Sequence, residues 1–310
     1  MKKIIHGLLV LMSTQITAVS AGTFHPFIDV LAWRAAETSS AWAETISPVL
    51  TTSNNVNQSY LSFNTRPGLK LGLTYQSDDN DIDSTFYWTN FSSGSSATIP
   101  FGDHIIASLF FSGSFFLSGG VFFGSYANWQ LAMNMFDWDV SHSFKPVPTV
   151  TLTPKLGVKG GSINQNINID WQSLTYTANE KVTNNFSGIG PSFGMNAKWN
   201  VLKELNVVGD VTTALMYGRW NNNDTYHRPA GLVTEQTIFT SMNQSKLGTL
   251  MMDYYVGLQW VHEGQSRVSL NLGYEMQYWA GQLRWLAVQQ FPPLGDLTIQ
   301  GATCGITIDL

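Results

Sequence analysis

Cysteine is almost missing from these 310 residues: Cys304 stands alone, so neither an internal disulfide framework nor a multi-cysteine metal site is available. Charge is scarce as well. Asp, Glu, Lys and Arg make up 12% of the chain, roughly half the share of an ordinary soluble domain. The 16 Lys and Arg against 21 Asp and Glu leave a formal net charge of -5 and no basic patch, which argues against nucleic acid as a partner. Long apolar runs are lacking too. Overall hydropathy is near neutral, whereas a helical membrane protein needs several runs of about 20 apolar residues. What the chain does have is 44% hydrophobic and 13% aromatic residues, too many for a disordered segment, and 27 Gly. Apolar and polar residues must therefore be finely interleaved, as in strands joined by turns.

Residues 1–21 have the layout of a secretory leader. Lys2 and Lys3 supply the positive end, Ile4 to Met12 a short apolar core, and Val19-Ser20-Ala21 a small-residue cleavage site. The apolar core is too short to span a membrane, so cleavage after Ala21 is expected, leaving 22–310 as a single domain outside the cytoplasmic membrane.

The clearest pattern runs over 267–279. There Val268, Leu270, Leu272, Tyr274, Met276 and Tyr278 alternate with Arg267, Ser269, Asn271, Gly273, Glu275 and Gln277. A two-residue period sends the two sets to opposite faces of a strand. Residues 205–220 repeat it, with Leu205, Val207, Val211, Leu215 and Tyr217 opposing Asn206, Asp210, Thr212 and Gly218. Similar segments at about 25–37, 61–76, 82–91, 125–144, 149–169, 186–199, 250–262 and 297–310 bring the total to ten. Between 125 and 144 the apolar parity passes from Trp129, Leu131, Met133 and Met135 to Phe136, Trp138 and Val140, which reads as a β-bulge.

Connections near 77–81, 145–148, 201–204 and 263–266 are short. Those near 38–60, 92–124, 170–185, 221–249 and 285–296 are long and polar or rich in Gly, Ser and Asn. This alternation predicts an all-β fold: a transmembrane antiparallel up-and-down β-barrel of about ten strands, with short periplasmic turns and long extracellular loops. A soluble β-sandwich or lipocalin-like barrel would also alternate, but its polar face should carry abundant Lys and Glu. Here the polar faces favour Gly, Ser, Thr and Asn, while Trp199, Trp220, Trp260, Tyr278 and Trp279 gather at strand ends, as aromatic girdles do at a lipid boundary. The uncharged stretch 105–123 is broken by Ser and Gly. It suits a loop folded into or over the barrel mouth, or an extra hairpin raising the count to twelve.

With the strands placed, the wording resembles a known family. Phe27-Ile28-Asp29-Val30-Leu31-Ala32-Trp33-Arg34-Ala35, Trp138-Asp139-Val140, Pro154-Lys155-Leu156-Gly157-Val158-Lys159-Gly160-Gly161 and Asn185-Phe186-Ser187-Gly188-Ile189-Gly190-Pro191 are similar to the Legionella-type major outer membrane protein family. Leu215-Met216-Tyr217-Gly218 and Leu272-Gly273-Tyr274-Glu275-Met276-Gln277-Tyr278-Trp279 extend the likeness over nearly the whole chain after the leader. The resemblance implies a pore-forming β-barrel in the outer membrane of a Gram-negative bacterium, with relatives in chlamydia-like bacteria. These are strand signatures, so they speak to fold more than to solute.

In this reading the apolar side chains meet lipid and the polar ones a wet lumen, because a backbone in hydrocarbon must close its hydrogen bonds and a closed barrel lets strands do so. The expected lining is Arg66, Lys70, Lys155, Lys159 and Lys198 with Asp83, Asp210, Asp253 and Glu275. Solvation or ion pairing between strands is the more ordinary role for each of them, and a mixed lining supports no strong ion selectivity. Ten or twelve strands imply a narrow channel. The expected function is porin-like passage of small hydrophilic solutes or ions. The expected partners are outer-membrane lipid and the barrel-assembly machinery, with homo-oligomerisation left open. The alternative is a surface barrel with a closed lumen and binding loops.

Catalysis is not expected. His25, His104, His142, His227 and His262 are single and widely spaced, and no Gly-x-Ser-x-Gly occurs. Asp79, Asp81 and Asp83 have calcium-loop spacing, but Ser84 stands where that loop needs Gly and no Glu stands at the twelfth position. An acidic turn with no metal is the expectation, and no cofactor is implied.

Overall fold

The structure, a computed structural model, describes residues 22–38, 40–47, 55–77, 82–102, 104–107, 111, 122–231, 233–264, 266–284 and 294–309. The expected leader and the turn residues Asp79 and Asp81 lie outside the described residues. In chain order the strands are β1 (Gly22–Glu37), β2 (Ala41–Ser47), β3 (Asn55–Tyr60), β4 (Arg66–Ser77), β5 (Ile82–Ile99), β6 (His104–Ala107), β7 (Gly124–His142), β8 (Phe144–Val147), β9 (Val150–Gln172), β10 (Thr177–Asn200), β11 (Leu205–Arg228), β12 (Gln236–Glu263), β13 (Arg267–Arg284) and β14 (Leu294–Ile308). Ten of them, β1, β4, β5, β7 and β9 to β14, form an antiparallel barrel that closes through the β1–β14 and β9–β10 ladders. β2, β3 and β6 make a separate three-stranded sheet, and the short β8 pairs with the start of β9.

The barrel is much taller than a bilayer. A tilted transmembrane strand needs about 9–11 residues, yet β10 and β11 have 24 each and β12 has 28. The end with the short turns also carries the first and last strand termini, which marks it as periplasmic in an outer-membrane barrel. Two of the long connections expected from sequence, 170–185 and 221–249, are largely continued strand. β9 and β10 run on to a tight turn closed by Ser173 N–H donating to the Tyr176 carbonyl, and the Asn221-Asn222-Asn223 run is part of β11. Polar composition had suggested loops at these places, but strands standing in water are polar on their outer face too.

Outward residues change character part-way along each strand. On β9 Leu156 and Val158 give way to Ser162, Asn164, Asn166 and Asn168; on β10 Ile189 and Phe193 are followed towards the far end by Ser187, Asn185 and Lys181. On β11 Val211, Leu215 and Tyr217 precede Arg219, Asn221 and Asn223. The apolar stretch forms a continuous belt around the periplasmic half, which we call the membrane half. Beyond it the outer wall is polar, as water requires.

The inward residues do the reverse. In the membrane half they are mainly Asp, Glu, Lys, Thr, Ser, Asn, Gln and Tyr; in the outer half they include Leu31, Trp33, Phe91, Trp129, Ile163, Phe186, Trp220 and Trp279, all buried. This explains the parity change on β7. The β5–β7 and β7–β9 ladders run through it without a register shift, so no bulge exists there. Odd residues face inward along the whole strand, from Trp129 and Met133 to Asp137 and Asp139. A bulge does occur on β13, where Gly281 takes a left-handed φ of 60° and the β13–β14 register slips between Trp279 and Leu283.

The described residues of the uncharged insert, 105–107, 111, 122 and 123, lie at the outer mouth, and among them β6 pairs with β2 rather than with the barrel. Ile105 and Ala107 of β6, with Phe111 and Phe122, are buried in one apolar cluster with Trp42 of β2 and with Leu61 and Phe63. Phe122 stacks on Trp171 at 5.1 Å, and Phe63 meets Trp129 edge-on at 5.5 Å.

The belt yields a direct test. Val256→Arg, near mid-belt, is expected to destabilise the bilayer-folded barrel by about 2–4 kcal/mol, and Asn168→Arg, on the polar outer wall, by under about 0.5 kcal/mol, in urea titrations with liposomes.

Candidate functional site

In the membrane half the inward side chains surround one cavity of about 440 Å³. β4 brings Lys70 to it, β9 Lys155, β10 Lys198, β11 Asp210, β12 Asp253 and Tyr255, and β13 Glu275. β1 adds Asp29, β5 Tyr87 and β7 Asp139. Two glycines make room for the acids. Gly157 lies opposite Asp139 and Gly305 opposite Asp29, and a Cβ at either position would strike the facing carboxylate.

The charges are tied together across the lumen. Lys70 Nζ donates to both carboxylate oxygens of Glu275 at 2.9 and 3.0 Å, although β1 and β14 separate their strands. Lys155 Nζ donates to Asp210 at 2.8 Å across β10, and Asn196 adds a donor to the other oxygen of Asp210 at 3.2 Å. Lys159 pairs with Asp137, its direct register partner, at 1–2% side-chain exposure. Gln277 reaches Asp253 at 3.4 Å and Ser192 reaches Asp139 at 3.3 Å. Lys70 also lies 5.9 Å from the Trp33 ring centre and 5.6 Å from that of Tyr87, so its charge is held by aromatic faces as well as carboxylates. Around the lumen Asp29, Asp137, Asp139, Asp210, Asp253 and Glu275 outnumber the lysines, giving the interior an anionic bias.

The cavity ends at an apolar ceiling. Trp33, whose indole donates to Thr303 at 3.2 Å, packs on Phe91, and both are fully buried. Above them the buried Gln165 amide donates to Glu37 at 2.9 Å and to Gln282 at 2.8 Å, while its oxygen accepts from Trp129 at 2.8 Å. Glu37 is the last residue of β1, beyond the belt, and burial pushes its carboxyl well above the usual range while the Gln165 bond acts the other way.

The family profile described as "Legionella pneumophila major outer membrane protein precursor" matches residues 21–310. The chain belongs to this family. It is thus an outer-membrane β-barrel protein, and the word precursor in the family's description accords with a leader. Among solved structures this family member is similar to the outer membrane protease OmpT from Escherichia coli, at 9% identity over 96% of this chain and 100% of that one, with a TM-score of 0.46. It is also similar to a Pseudomonas aeruginosa FadL homologue at 7% identity, covering 93% and 90% with a TM-score of 0.27. Ail of Yersinia pestis has 7% identity, 93% and 99% coverage and a TM-score of 0.24. No curated protein sequence matches.

Of the lining residues read from sequence, this major outer membrane protein brings Lys70, Lys155, Lys198, Asp210, Asp253 and Glu275 to the one cavity, with Lys159 beside it. Asp83 lies nearer the periplasmic rim, in register with Gln76. Arg66 is a correction: it begins β4, is exposed, and borders the outer wall beside Ser92 and Gln130. Trp199 and Trp260 are outward at the periplasmic edge, and Tyr278 is outward with its hydroxyl donating to Asp296 at 2.7 Å.

Trp220 and Trp279 are corrections too. Both are fully buried inside the barrel, Phe186 contacting each, with the Trp220 indole donating to the Gln282 carbonyl at 2.8 Å. Their parity said so, since each shares a face with the polar set of its strand. Asp29, Asp137 and Asp139 were missed, the last two because the supposed bulge hid that they share a face with Met133 and Met135.

Removing one member of the most buried pair should be costly. Lys159→Met leaves Asp137 uncompensated and is expected to cost about 3–5 kcal/mol, most of which Asp137→Leu in the same chain restores, as a double-mutant cycle of unfolding free energies will read.

Proposed function

We propose that this protein is a surface-building barrel whose lumen is sealed in its resting state, anchoring a tall strand-built wall outside the membrane. One observation carries this reading: the interior of the outer half is filled by Trp33, Phe91, Trp129, Phe186, Trp220 and Trp279 together with Trp42, Phe63 and Phe122, each at most 2% exposed. A water-filled channel would leave such rings wet, and an apolar space of this kind excludes water and ions. The polar wall above the belt gives the surface role its scaffold, since it is built of continuous strands that hold their side chains in fixed rows.

A second reading, passive diffusion of small hydrophilic solutes, is favoured by the charged cavity beneath the ceiling. It requires the inner segments that carry Trp42, Phe63 and Phe122 to move aside. The family is one of major outer membrane proteins and not an enzyme family, and we read no catalytic role in the chain. His227 and His262 sit at opposite ends of the barrel, and His25 is engaged by Asp309 at 2.8 Å.

Planar-bilayer recording separates the two. The refolded wild type is expected to stay silent at moderate voltage, and Trp129→Ala combined with Trp171→Ala to introduce stepwise openings. Steady openings of the wild type would favour the diffusion pore.

A further inference from the structure

A shallow groove of about 360 Å³ crosses the outside of the barrel just beyond the belt, with Arg66 on its border. Its floor is two adjoining cross-strand rows. Ser92, Ala132 and Asn164 are in register on β5, β7 and β9, and Gly94, Gln130 and Asn166 form the next row. Small residues at 92, 94 and 132 make the hollow, and the amides at 130, 164 and 166 edge it with donors and acceptors.

Arg66 is carried on a well-anchored backbone. The preceding Leu61 and Phe63 are buried inside the barrel, and the carbonyls of Ser62 and Asn64 accept hydrogen bonds from Ser95 and Ser93 at 2.8 and 3.1 Å. The depth of the groove is fixed by the ladders. The outward pair Trp88 and Phe136 stands in register four residues nearer the periplasm than the pair Ser92 and Ala132. At about 3.3 Å per residue and a tilt near 40°, the floor lies about 10 Å beyond the belt's rim, in the headgroup zone of the outer leaflet.

We propose that this groove binds the phosphorylated saccharide headgroup of an outer-leaflet lipid whose acyl chains lie on Trp88, Phe136 and Trp138. The guanidinium of Arg66 meets the phosphate as a two-pronged donor, and the Gln130, Asn164 and Asn166 amides exchange hydrogen bonds with sugar hydroxyls. Membrane tethering decides for a lipid over a free sugar phosphate. One exposed cation in a shallow, neutral groove holds a dissolved anion weakly at physiological salt, whereas a headgroup confined to the leaflet meets the groove at high effective concentration.

The full mature chain in phosphatidylcholine nanodiscs, titrated with lipid A as the diphosphorylated diglucosamine lipid, tests this by native mass spectrometry. The expected result is saturable lipid A binding that weakens about tenfold in Arg66→Ala and in the groove-filling Ala132→Trp. It should be unchanged in Lys181→Ala, which removes an outward cation elsewhere on the wall, and undisturbed by millimolar glucosamine 6-phosphate. Circular dichroism confirms that each variant keeps its strands. Equal lipid A affinity in all four proteins, equal weakening in Lys181→Ala, or displacement by the soluble sugar phosphate would overturn the proposal.

Discussion

Side chains on a β-strand point alternately to its two faces, and no composition can change that period. What changes along this barrel is the medium outside it. The same strands that meet acyl chains near the periplasm stand in water farther out, so the apolar set must face outward in one half and inward in the other. Every major feature follows from that exchange: the belt, the charged lower lumen, the aromatic filling above it and the amide-rich outer wall.

The exchange is sharp because it is made residue by residue on fixed ladders. On β7, Phe136 and Trp138 are outward where Asp137 and Asp139 are inward; a few residues on, Asn134 and Gln130 are outward where Met133 and Trp129 are inward. A lumen lined by acids and lysines is stable below the ceiling because each lysine described there with a partner faces a carboxylate at hydrogen-bond range, as Lys70 does Glu275 and Lys155 does Asp210. The outer half holds itself together as a soluble barrel does, by burying rings, and it accommodates Glu37 and Gln282 through the Gln165 amide, which donates to both.

Much of the barrel was legible in the sequence, since strict alternation on β11 and β13 and the short periplasmic turns need no tertiary information. The cavity was half legible for the same reason: Lys70, Asp210 and Glu275 sit on the polar parity of strands whose other face is plainly greasy. The outer half was misread because a single rule, apolar outward, was carried past the point where lipid ends. That rule turned Trp220 and Trp279 into a lipid girdle and the parity change at Met135 and Phe136 into a bulge. Respecting parity over apolarity would have placed Trp220, Trp279 and Met135 inside and left Phe136 outward. The filling of the mouth by Trp42, Phe63 and Phe122 was beyond reach, because it depends on which distant segments meet, and only the resulting contacts with Trp171 and Trp129 reveal it.

Tryptophan quenching in liposomes reads the exchange most directly, using variants that retain one indole each at Trp138, Trp129, Trp220 or Trp279, with every other tryptophan replaced by Phe so that the ring filling of the outer half is kept. The account predicts that brominated acyl chains quench Trp138 strongly, and that the other three respond neither to brominated lipid nor to aqueous iodide. Quenching of Trp220 or Trp279 by brominated lipid would show the apolar face outward along the whole strand, and quenching by iodide would show an open aqueous lumen; either result contradicts the account.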